Sequence, residues 1–81
     1  METKPNFVYN ANELLPYEET RRKVNAWAKR LKTKTGKNVF YSVTAYKVEV
    51  WHDGIDTASH NKAMESLARI LFEVLRAWHT R

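Results

Sequence analysis

The sequence has no cysteine, so neither a disulfide framework nor a thiolate zinc site can reinforce the fold, and stability has to come from packing, helped where needed by self-association. Gly36 and Gly54 are the only glycines, which excludes a glycine-rich loop of the kind that cradles phosphates. The N-terminus has no apolar signal-like run, and no apolar stretch approaches the ~20 residues needed to cross a bilayer, so a cytoplasmic protein without membrane contact is expected. No Ser-His-Asp arrangement or paired-carboxylate spacing stands out, and an enzyme is not expected. Acidic residues are absent from one whole segment, 20–37, where eight basic residues fall.

What is present suffices for one small folded domain. The 81 residues are 43% hydrophobic with ten aromatics, well above what a disordered chain carries. Residues 1–15 mix turn formers with short apolar pieces and read as a flexible N-terminal arm, with Phe7, Val8 and Tyr9 able to dock on the body. Residues 16–81 form the domain.

A first helix begins at Pro16. Glu18 and Glu19 complement the positive end of its dipole, Lys32 and Lys34 the negative end, and Gly36 stops it. Tyr17, Thr20, Val24, Trp27, Ala28 and Leu31 recur at spacings of three, four and seven and build one apolar stripe. The next stretch, "KNVFYSVTAYKVEVWHDGIDT", is rich in β-branched and aromatic residues and predicts a three-stranded antiparallel meander. A four-residue loop from Thr44 to Lys47 pairs Val43 with Val48, Tyr41 with Val50 and Val39 with His52 on an apolar face, and Phe40 with Trp51 on the other. Asp53-Gly54 is then a hairpin turn into a short third strand through Ile55 and Asp56. A long C-terminal helix, capped by Thr57 or Ser59, completes an α+β fold of order α-β-β-β-α with both helices on one face of the sheet. Its apolar residues cover more than half the circumference, which serves either an enclosed core helix or a homodimer contact. Over residues 16–78 this order of elements is similar to that of the double-stranded-RNA-binding domain, although "TAYK" and "SHNKAMES" stand where that family carries its binding loop and lysine cluster.

The segment "RRKVNAWAKRLKTKTGK" carries the functional signal. At 100° per residue the surface of the first helix opposite its apolar stripe is basic throughout, whereas a merely solubilising helix mixes signs in pairs four apart. Arg21, Arg22, Lys23, Lys29, Arg30, Lys32, Lys34 and Lys37 are therefore the candidate contacts to nucleic-acid phosphates, DNA or RNA, since such contacts require cations and no base recognition. Phe40, Tyr46 and Trp51 are candidate stacking residues for unpaired bases. The alternative is a small interaction module or inhibitor, of the sort mobile elements or phages encode, that docks the same helix on an acidic protein. His52, Asp53, Asp56 and His60 fall within nine residues, but turn and cap roles account for them, and neither a metal nor any other cofactor is expected.

Overall fold

The computed structural model describes residues 4–80. Its elements are β1 (Phe7–Asn10), α1 (Tyr17–Thr35), β2 (Val39–Val43), β3 (Lys47–His52) and α2 (Thr57–His79). The three strands form one antiparallel sheet in the order β1-β3-β2, so β3 is central. The fold is α+β, with a first helix, a three-stranded antiparallel sheet and a long C-terminal helix. Both helices contribute to one core against Val48 and Val50 of β3.

The β2–β3 hairpin has the expected register, with Val43 opposite Val48, Tyr41 opposite Val50, Val39 opposite His52 and Phe40 opposite Trp51. Its loop closes through the Thr44 amide, which donates to the Lys47 carbonyl at 2.9 Å. Among the described residues none other than glycine takes a positive φ, so Ala45 and Tyr46 avoid the strained turn that a two-residue loop would impose.

The third strand is not where the meander puts it. It comes from the N-terminal segment expected to be a flexible arm, and Phe7, Val8, Tyr9 and Asn10 pair with Val50, Glu49, Val48 and Lys47. Further bonds extend the seam at both ends. The Asn6 amide donates to the Val50 carbonyl, the Ala11 amide to the Tyr46 carbonyl and the Leu15 amide to the Ala45 carbonyl. The Asn6 side chain accepts from the His52 amide at 2.8 Å. Alternation in this segment explains the pairing, because Phe7, Tyr9 and Ala11 pack against the core while Val8 and Asn10 face solvent. Residues 1–3 of the arm lie outside the described residues.

Asp53-Gly54 turns the chain, but into a helix. Gly54 has φ 80°, and only two residues separate it from α2. Ile55 is buried beneath that turn, and Asp56 rather than Thr57 or Ser59 is the N-cap, its carboxylate accepting from the Ser59 amide at 3.1 Å. The element order is therefore β-α-β-β-α, and the likeness to the double-stranded-RNA-binding domain does not extend to its strand connections.

α1 follows the pattern of its sequence. Pro16 precedes its first residue, Gly36 ends it at φ 72°, and the Gly36 amide donates back to the Lys32 carbonyl. Its buried residues are Thr20, Val24, Trp27, Ala28 and Leu31. α2 buries Ala63, Met64, Leu67, Leu71 and Val74. The helices are tied where the Trp27 indole N–H donates to the Ala63 carbonyl at 3.1 Å, and α1 is tied to the sheet where the Tyr41 hydroxyl donates to Asn25 Oδ1. Thr20 is fully buried and its hydroxyl has no hydrogen-bond partner among the described residues, a polar atom the core leaves uncompensated.

Candidate functional site

All eight candidate cations are exposed. Arg22 bonds Glu19 at 2.6 Å, and among the described residues none of the other seven lies within ion-pair distance of an acid. Lys37 lies just beyond α1, and positions around the helix axis separate the other seven into three groups. Arg22 and Lys29 lie on the crest, Arg21 and Lys32 lie on the flank toward β2, and Lys23, Arg30 and Lys34 lie on the flank toward α2. Helical geometry alone prevents a single strand from touching all of them at once.

The α2 flank forms the wall of a groove of about 750 Å³. Arg30 and Lys34 line it from α1, Lys37 from just beyond Gly36, and Lys62 from the first turns of α2. Its floor includes Trp27, which is 3% exposed, together with the buried Leu31, Ile55 and Ala63. The one acid among its lining residues is Asp56. Bonds to Ser59 hold that carboxyl below its ordinary range, so it stays ionised at neutral pH. A shallower groove farther along the two helices pairs Lys23 and Arg69 with Glu19 and Glu73, so its charges cancel.

The candidate stacking residues are not brought to these cations. Phe40 is 59% exposed and stands opposite Trp51 on the sheet face that the helices do not cover. Tyr46 is exposed in the hairpin loop, whose neighbouring carbonyl holds Leu15 just before α1. The groove lies at the other end of α1. The exposed aromatics thus stand on the uncovered sheet face and in the hairpin loop, and the cations of α1 on the helix side.

His52 and His60 meet, Nε2 to Nδ1 at 2.9 Å. The Ile55 amide donates to His52 Nδ1, which must then be unprotonated, so His52 carries its proton on Nε2 and donates it to His60. Burial and the neighbouring His60 lower the His52 pKa, against a backbone hydrogen bond and the charge of Asp53. A metal on Nε2 would require the ring proton to move to Nδ1, against the Ile55 amide, so this pair is arranged as a link between β3 and α2. Phe7 contacts the His60 ring edge-on and completes the link to β1. Among the described residues no group of three or more His, Asp or Glu is placed to hold a metal ion.

The wide apolar arc of α2 is mostly consumed by the core, but Phe72 remains 60% exposed and Trp78 is exposed near the C-terminal end. No described helix is long and apolar enough to cross a membrane. Lys62 is not legible as a contact in the sequence, because it is the one Lys or Arg in the first turns of α2 and joins the cations of α1 only through the way the helices cross. No protein-family model, curated protein or solved structure matches the chain.

Proposed function

We propose that this chain is a small non-enzymatic nucleic-acid-binding protein that contacts phosphates through α1. One observation carries the reading, namely an exposed helix surface whose cations, Arg22 apart, have no acidic partner among the described residues. Unpaired cations gathered on one element create a positive field that costs self-repulsion in the free protein, and binding a polyanion relieves it by releasing the polymer's counterions. The basic residues of α1, Arg21 to Lys34, span roughly 20 Å along its axis, room for several successive phosphates. The same reading places the protein in the cytoplasm and takes the exposed Phe72 of α2 as part of a homodimer contact.

Fluorescence anisotropy with labelled duplex DNA, duplex RNA and single-stranded RNA, at low and physiological salt, tests it. Affinity for one of these polymers should fall by orders of magnitude as salt rises. Absence of binding at low salt would overturn the reading. A second reading, docking on an acidic protein, is favoured by the spread of cations over three sides of α1, which a concave partner could engage together. Poly-glutamate binding without nucleic-acid binding would support it.

A further inference from the structure

We propose that the groove between the C-terminal half of α1 and the first turns of α2 seats a phosphate of the bound strand, with Lys62 completing the site. The proposal rests on the nucleic-acid reading above and says where on the basic surface the strand runs.

Convergence is the first argument. Arg30 and Lys34 from α1, Lys37 from the following loop and Lys62 from α2 line one concavity, although Lys62 lies 25 positions beyond Lys37 in the chain. None of the four lies within ion-pair distance of an acid among the described residues. Shape is the second. The buried floor of Trp27, Leu31 and Ala63 is a low-dielectric wall behind the cations, and such walls focus a positive field into a cleft instead of letting water disperse it. Crest residues such as Lys29 have no comparable backing.

Asp56 sets the position within the groove. Its carboxylate already accepts the Ser59 amide at the start of α2, so the helix terminus is satisfied by the chain itself and is not the anion site. The same negative charge disfavours a phosphate at that end and favours one nearer Arg30 and Lys62, beside the contact of Trp27 with the Ala63 carbonyl. The other groove between the helices serves as an internal control, since Glu19 and Glu73 offset Lys23 and Arg69 there.

The test compares charge reversals at equal change of net charge, each variant checked by circular dichroism, against the nucleic acid that the unaltered protein binds best. Arg30→Glu with Lys62→Glu should weaken binding about tenfold more than Arg21→Glu with Lys32→Glu on the opposite flank. Lys62→Ala alone should reduce the slope of log affinity against log salt by about one. Asp56→Asn keeps a capping side chain and removes the charge, so it should raise affinity severalfold at low salt with only a small loss of melting temperature. Equal losses from the two flanks, or an unchanged slope for Lys62→Ala, would overturn the groove while leaving nucleic-acid binding by α1 in place. Failure of the unaltered protein to bind any of the three polymers would remove both proposals. Groove reversals that abolish poly-glutamate binding and spare nucleic acid would reassign the groove to an acidic protein.

Discussion

On their inner sides the two helices are alike: α1 buries Val24, Trp27, Ala28 and Leu31, and α2 buries Ala63, Met64, Leu67 and Leu71 in the same core. Outward they diverge. α2 alternates Lys62, Glu65, Arg69, Glu73 and Arg76 at the spacing at which opposite charges on a helix are neighbours, whereas α1 carries no acid after Glu19. α2 thus shows what a solvated helix surface looks like in this protein. The departure of α1 from that pattern within the same small fold is the contrast on which the proposed function rests.

The largest effects should come where the helices agree. Leu67→Ala, at a fully buried position of α2, should cost about 2–5 kcal/mol in chemical denaturation, because it removes transfer free energy and leaves a cavity. Phe72→Ala on the same helix should cost no more than about 0.5 kcal/mol within one chain, but should weaken the proposed homodimer in light scattering. An unchanged oligomeric state in Phe72→Ala would remove that contact from α2.

Next in size is the outward contrast. Arg22→Glu with Lys29→Glu on α1 should reduce nucleic-acid affinity about a hundredfold at low salt, and Arg69→Glu with Arg76→Glu on α2 only severalfold, through net charge alone. Equal losses in the titration would dissolve the distinction between the helices. Thr20→Val should stabilise α1 by about 1 kcal/mol, since a methyl group replaces a buried hydroxyl that has no partner. Thermal melting checks this, and a lower melting temperature would reveal a hydrogen bond to that hydroxyl.

The smallest effect should be the response to acid. The His52 pKa is lowered in the folded protein, so its contribution to stability is full above the ordinary value of 6.5 and declines as pH falls below it, where the unfolded chain takes up the proton more readily. Hydrogen exchange at pH 5.5 should therefore show faster opening at the start of α2, beside His60, than in α1, which has no histidine. Replacing His60 by Asn should narrow the difference between pH 7 and 5.5 without removing it, because burial is the larger cause of the lowered His52 pKa.

Much of this architecture was legible in the residues. The α1 stripe and its glycine stop have local causes, and the β2–β3 register follows from placing Val39, Tyr41, Val43, Val48 and Val50 on one face. The third strand was misplaced because Asp53-Gly54 is a strong hairpin signal, yet the same dipeptide serves equally well to turn a strand into a helix capped by Asp56. The alternation of Phe7, Val8 and Tyr9 held the correct answer, but a four-residue strand seldom announces which distant partner it will find. The basic surface was legible for the same reason as the stripe, since helical spacing decides it. The groove was not, because Lys62 reaches Arg30 and Lys34 only through the contact between Trp27 and the Ala63 carbonyl.

The pairing of β1 with β3 also orders events in time. Phe7 leaves the ribosome early and waits about forty residues for Val50, whereas β2 meets β3 across a short loop and α1 forms from neighbouring residues, so closure of the longer loop is entropically the later step. Until it closes, β3 is an edge strand rather than the centre of the sheet. Pulse-labelled exchange during refolding should find the β1 amides protected after those of β2; protection of both together would mean that the sheet assembles as one unit. The first strand of this fold in chain order is then the last to be fastened, and the chain has to stay soluble in the interval with one side of β3 open.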